Sequence, residues 1–193
     1  MSRGNYTMTV LRNLLVHVRR APDRVLQPLR RRKAVEALRA RPRPKNVLVV
    51  CLGNICRSPV AGALLARGLA PLGIDVQSAG FIGFNRPAPR EAVAAAKRHA
   101  INLSAHRSRL VTAGMARTAD LVVVMDPAQQ RMLRERYGRS PTAVLVLGDL
   151  DPGPVETRTI HDPVDQKQEV FDTVYERIAR CVRELVAVLH AKS

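Results

Sequence analysis

The chain contains no tryptophan, and only three Phe and three Tyr among its 193 residues. Cysteine is scarce too. Three thiols in a chain of this length do not make a disulfide framework, which points to a reducing compartment, read here as cytoplasmic. No apolar run approaches the ~18 residues that a membrane-spanning helix needs. The first residues lack the apolar stretch and small-residue cleavage site of a secretion signal. Acidic residues are few: 16 Asp+Glu stand against 32 Lys+Arg, a formal net charge of +16. Such an excess suggests nucleic acid, but its distribution argues otherwise. Residues 1–45 hold 13 basic and 2 acidic residues, a net of +11, while residues 46–193 carry the remaining 19 and 14, a net of +5. No Phe, Tyr or Trp lies between Arg12 and Lys45. The basic stretch therefore offers no platform for stacking single strands, and no specific nucleic-acid partner is expected.

What is present divides the chain into a basic N-terminal extension, 1–45, and a body, 46–193. In the extension Val10, Leu11, Leu14, Leu15 and Val18 fall at helical spacing among arginines. Pro22 interrupts, a second helical stretch is expected from Arg24 to Arg39, and Arg41–Lys45, with two prolines, reads as a linker. Two readings stay open for this extension: a basic amphipathic segment that meets an acidic membrane surface or acidic partner, and a solvated, partly disordered arm.

The body alternates strands with helices. Val47–Val50, Ile74–Ser78, Leu121–Met125 and Ala143–Leu147 read as strands. Pro59–Leu69, Glu91–Ala100, a segment ending at Tyr137 and a long stretch from Gln168 to about His190 read as helices. That order predicts an α/β fold with a four-stranded parallel sheet flanked by helices on both faces, three layers in all. Ligands of such sheets sit at the carboxyl ends of the strands, and Cys51 falls there.

Asn46–Pro59 is the stretch richest in chemistry. A buried strand ends at Cys51, and Arg57-Ser58-Pro59 follow six residues on. Gly53 and Asn54 are the residue types that most readily take positive φ, so the chain can curl and turn its N–H groups inward as an anion nest. Ser58 is expected near the N-cap of the next helix with Pro59 at its first position, which adds positive potential at the same spot. Arg57 can grip two phosphate oxygens through its planar fork, and that surrounding favours a thiolate. The spacing Cys-x5-Arg alone is weak. From these residues, an oxyanion-binding thiolate and a small buried structural cysteine both remain open.

A thiolate that displaces an alkoxide or phenoxide needs an acid to protonate the leaving oxygen. Asp162, on an irregular segment before the last helix, is the best candidate; Asp126, Asp149 and Asp151 compete with it, and a turn-forming Asp is the ordinary alternative. Phe81 and Phe84 in the loop 81–89 either wall a pocket for an aromatic group or plug the core. Cys181, on the apolar face of the last helix, reads as core.

Cys51–Pro59, followed by Ser78-Ala79-Gly80, Leu103–Arg107, Val123–Asp126 and Asp162-Pro163, resembles the low-molecular-weight protein tyrosine phosphatases, in order and over roughly residues 46–190. The resemblance implies that Cys51 is the nucleophile and carries a phosphocysteine. It implies that Arg57 and the N–H groups of 52–57 hold the phosphoryl oxygens, drawing Leu52, Gly53, Asn54, Ile55 and Cys56 into the phosphate loop. Asp162 would be the acid and then the base, and Ser58 would hydrogen-bond the sulfur. Asn54 would sit strained in a network with Ser78 and His106, and no metal or cofactor would be needed. Cys56 would either pair reversibly with Cys51 or point into the core. The implied substrate is a phosphotyrosine-bearing protein, with a bacterial tyrosine kinase among the partners.

The chain departs from the family at Val164-Asp165, where many members carry an aromatic after Asp-Pro, so that wall of the pocket is missing. Phe84, standing where many bacterial members have Trp, and Leu52 would supply what wall there is. Arsenate reduction on the same fold would need further relay cysteines, and none lies between Cys56 and Cys181. Phosphoarginine phosphatases of this type carry Thr at the position of Ile55, so Ile55 favours phosphotyrosine. A non-catalytic basic binding module is the remaining alternative.

Overall fold

A computed structural model of the protein describes residues 23–192; the helical pattern at Val10–Val18 lies outside them. Helix α1 spans 23–40. It is followed by β1 (Asn46–Cys51), α2 (Arg57–Leu69), β2 (Asp75–Gly80), α3 (Arg90–Lys97) and α4 (Ala113–Thr118). The chain then forms β3 (Leu121–Val124), α5 (Pro127–Tyr137), β4 (Val144–Val146) and α6 (Gln168–His190). The four strands form one parallel sheet in the order β2-β1-β3-β4. β1 is interior, paired on both edges, and helices cover both of its faces, as its unbroken Val-Leu-Val-Val run requires.

The two faces separate by the two-residue period of a strand. Val47, Val49, Cys51, Leu121, Val123 and Leu145 point to one core, shared with α2, α3 and α6. Leu48, Val50, Val122, Val124, Val144 and Val146 point to the other, against Ala116 of α4 and Leu133 of α5. Each fully buried Val or Leu contributes roughly 1.5–3 kcal/mol. Burial on this scale holds the short β3 and β4 in register.

Three local readings shift. α3 stops at Lys97 rather than Ala100, because Ala100 takes φ +56 and the chain closes with Ile101 N–H donating to Ala96 O. A left-handed alanine leaves no glycine-like signal in sequence. α4 is six residues long, too short for a visible apolar period, and is started by the Thr112 side chain accepting from Met115 N–H. Residues 23–40 pack onto the body: Leu38 is buried in the larger core, with Ala34 and Val35 packed against it. The Arg31 guanidinium pairs with Glu184 of α6. Among the described residues no helix is long and apolar enough to cross a membrane.

Candidate active site

The site lies at the carboxyl end of the central strand. Cys51 ends β1, the chain turns through Leu52–Cys56, and α2 starts at Arg57. Asn54 sits at φ +50, the left-handed region that Asn tolerates better than most residues. Gly53 is not at positive φ; the curl turns on Asn54 alone.

Every polar group of Asn54 is used. Its N–H donates to Cys51 Sγ at 3.3 Å, and its carbonyl oxygen lies 2.7 Å from His106 Nε2. Its side-chain amide donates to Ser58 Oγ at 2.9 Å and Ser78 Oγ at 3.1 Å, and its Oδ1 accepts from Arg109 N–H at 3.0 Å. A strained residue persists only where the surroundings over-determine it, and here five bonds do so. The Arg109 N–H was not foreseeable, because a backbone donor from residue 109 leaves no trace in residue type.

Ser58 does not cap α2. Its hydroxyl donates to Cys51 Sγ at 3.0 Å, while the N-cap position is Cys56 and no side chain caps the helix. The first-turn N–H groups of a 13-residue helix are thereby left facing the loop, where an anion can take them. Cys51 thus receives two hydrogen bonds that stabilise negative charge on sulfur. Burial pushes the neighbouring Cys56 thiol up, so Cys56 is held as a neutral thiol. Cys181 is pushed up to about 12, again mainly by burial, in keeping with a core role. All three cysteines are free and buried.

Arg57 is only 3 % exposed. Its Nη1 donates to Ile160 O at 3.1 Å and its Nη2 to Asp162, while Asp126 stands 3.9 Å away. Of the four competing aspartates, Asp162 alone lines the cavity over Cys51. Asp126 caps α5, accepting from the N–H and Nε2 of Gln129. Asp149 pairs with Arg158, and Asp151 with Arg177 and Arg180.

The cavity is small, about 110 Å³, and is lined by Cys51, Leu52, Gly53, Ile55, Cys56, Ile82, Arg86, Asp162 and Val164. That admits a phosphoryl group and part of a ring, against the ~300–1,000 Å³ of a site enclosing a drug-sized ligand. Phe84 does not line it: the ring is 73 % exposed, and Ile82 and Val164 take the positions expected of an aromatic wall. Phe81 is core, packed with β3 and α5 under Arg136. Asn54, Ser58, Ser78 and His106 form the support around the loop rather than the cavity surface. Arg86 is a lining residue missed by sequence reasoning; its signal was a lone arginine in a loop of Pro, Gly and Asn. Among the described residues no cluster of three or more His, Cys, Asp or Glu could hold a metal.

Residues 46–193 match the family model described as low molecular weight phosphotyrosine protein phosphatase. The chain belongs to that family. Among the phosphatases of this family it is 37 % identical over 148 residues to the probable low molecular weight protein-tyrosine-phosphatase EpsP of Ralstonia nicotianae, covering 76 % of this chain and 97 % of EpsP. The tyrosine phosphatase Wzb from Escherichia coli K30, solved with sulphate, superposes with TM-score 0.67 at 27 % identity, over 75 % of this chain and 97 % of Wzb. The YwlE arginine phosphatase from Geobacillus stearothermophilus superposes with TM-score 0.68 at 28 % identity, over 76 % and 94 %. The phosphatase fold therefore accounts for the body, and α1 stands outside the matched span.

Proposed function

We propose that this chain is a cysteine-dependent protein tyrosine phosphatase that works through a phosphocysteine intermediate. The observation that carries this is that Cys51 and Asp162 line one small cavity at the end of β1, with the buried Arg57 beside it donating to Asp162. Cys51 Sγ attacks phosphorus while Asp162 gives its proton to the departing phenolic oxygen, so the S–P bond forms as the P–O bond breaks. Arg57 turns its two Nη groups from Asp162 and Ile160 to the phosphoryl oxygens, which frees Asp162 for proton transfer. In the second step Asp162 takes a proton from water, the water oxygen attacks phosphorus, and the S–P bond breaks to release phosphate and the thiolate. Ser58 and Asn54 hold the sulfur's charge in both steps.

The apolar walls at Leu52, Ile55, Ile82 and Val164 support a phenyl ring as the group next to the phosphate. The test compares phosphate release from a phosphotyrosyl peptide, a phosphoarginyl peptide and para-nitrophenyl phosphate by wild type and Cys51→Ser. Phosphotyrosine should lead, and Cys51→Ser should be silent. Equal rates for the two proteins sink the reading, and a lead for phosphoarginine moves the substrate to that class.

The chain's partners in this reading are phosphotyrosine-bearing proteins, a bacterial tyrosine kinase among them, in the cytoplasm. An acidic membrane surface met through residues 1–45 is supported by α1, which exposes Val25, Leu26 and Leu29 beside Arg24, Arg32 and Lys33. Vesicles rich in anionic lipid should retain the protein, and Val25→Glu with Leu29→Glu should release it. Equal retention by neutral vesicles overturns the membrane contact.

A further inference from the structure

The cavity holds one cation that the chemistry above does not use. Arg57 is buried and holds the transferred phosphoryl group. Arg86 is exposed, and it lines the same cavity on the opposite strand connection, 81–89. Its backbone is fixed on both sides by Ser108: the Arg86 N–H donates to Ser108 Oγ at 2.9 Å, and Ser108 N–H donates to Arg86 O at 2.9 Å. Ser108 itself is buried and also donates to Gly83 O.

The side chain then folds back across Gly83. A Cβ at Gly83 would meet Arg86 Cδ at 2.7 Å and Nη1 at 2.8 Å. At φ +75, glycine is also the residue this backbone demands. The guanidinium thereby reaches the phosphate loop, where Nη1 would stand 3.7 Å from a Cβ at Gly53. Its positive field is felt at the Cys56 thiol.

The other arginines near the loop are occupied. Arg109 donates to Ser78 O, and Arg107 to Ser104 O and His106 O. Arg86 has no hydrogen bond or salt bridge from its guanidinium among the described residues. A planar fork without a carboxylate, held at the rim of a cavity that admits the phosphoryl group and only part of a ring, is suited to an anion carried outside that ring.

Resting on the phosphatase reading, we propose that Arg86 is a second anion-binding subsite, which selects phosphotyrosines flanked by a carboxylate or by another phosphate. Arg57 and the loop amides bind the phosphate that is transferred; Arg86 binds the one that is not, or the flanking acidic side chain.

The test uses three phosphotyrosyl peptides that differ only beside the phosphotyrosine: one neutral, one with Glu, one with a second phosphotyrosine. kcat/KM is measured for wild type, Arg86→Ala, Arg86→Lys and Arg86→Glu at low and high salt. The quantity read is the ratio of each anionic peptide to the neutral one. Wild type should favour the anionic peptides by about five-fold, as for a partly exposed charge pair, with the preference shrinking at high salt. Arg86→Ala should bring the ratio to about one, Arg86→Glu should invert it, and Arg86→Lys should keep part of it. A stronger ratio for Glu assigns the subsite to a carboxylate, and a stronger one for the second phosphotyrosine to a phosphate. The proposal is overturned if wild type shows no preference, or if the variants lower all three peptides by the same factor. Absence of turnover on every peptide by wild type would instead sink the phosphatase reading.

Discussion

The loop after Cys51 and the segment that carries Asp162 meet in one cavity but are held in opposite ways. Cys51–Ser58 is assembled from within: Asn54 N–H and Ser58 Oγ both reach Cys51 Sγ, and Asn54 reaches Ser58, all inside eight residues. Residues 147–163, which deliver Asp162, have little of their own to hold them. Short 3-10 and irregular backbone there is tied by distant groups. The buried Asp151, 1 % exposed, is clamped by Arg177 and Arg180 of α6. Arg177 also donates to the carbonyls of Thr157 and Thr159. Gln27 of α1 is 3 % exposed and sends its amide to the carbonyls of Gly148, Asp149 and Asp151. Cys51 Sγ is therefore organised locally, and the segment carrying Asp162 by elements outside it, from α6 close behind in the chain to α1 more than a hundred residues ahead. A local loop fails in its chemistry first, and a remotely tied segment fails in its stability first.

Substitutions can break this contrast. Cys51→Ser should lower kcat by about four orders of magnitude or more while leaving the thermal midpoint nearly unchanged, read by phosphate release and circular dichroism. A large drop in the midpoint would mean that the loop is not self-contained. Asp151→Leu should do the reverse. It strips two arginines of a buried partner, which costs about 3–5 kcal/mol, and denaturant unfolding should show it; an unshifted unfolding curve would remove the clamp from the account.

Asp162→Asn sits between the two. It should slow phosphotyrosyl peptide by about 10²-fold or more and para-nitrophenyl phosphate much less, since that leaving group needs less help. Equal slowing would place the acid elsewhere. Gln27→Ala removes a buried donor from three carbonyls and should cost about 1–3 kcal/mol of stability. It should slow the poor leaving group more than the activated one, because it loosens the segment that carries Asp162.

Acid should have the mildest effect, and one destabilising contribution on acidification comes from Asp151. Burial opposes the charge there, but hydrogen bonds from Arg180 and Arg177 outweigh it and hold the carboxyl below the usual carboxylate range. Its contribution to stability is present above the unfolded carboxylate value of about 3.9 and is lost as pH falls through the lower, folded value. Asp149 works against this. Burial pushes it up despite the hydrogen bond from Arg158, so its contribution is present at low pH and lost as pH rises through its folded value. Unfolding measured between about pH 5 and 2 should flatten in Asp151→Asn and steepen in Asp149→Asn.

Much of the loop could be read in advance because its groups are near neighbours in the chain. Cys51, Asn54, Arg57 and Ser58 carry their chemistry in their type and spacing. A serine before a proline suits a helix cap and suits a donor to sulfur equally well; the cap reading fails and the bond to Cys51 Sγ implied by the family resemblance holds. Residue type cannot say which of two loop aromatics turns inward; Phe81 takes the core position against β3 and α5, and Phe84, expected at the pocket wall, stands in solvent.

By itself the sequence determined the sheet, through four short apolar runs, and the thiolate cradle, through one local turn. It left open which aspartate meets Arg57, what lines the cavity, and what becomes of the first helix. Those answers rest on pairs far apart in the chain: Arg57 with Asp162, Arg86 lying over Gly53, Gln27 against the 148–151 carbonyls. Local spacing fixes what a turn can do, because its geometry is set by a few dihedrals. A contact across a hundred residues depends on where two elements pack, and that is decided only when the whole core closes.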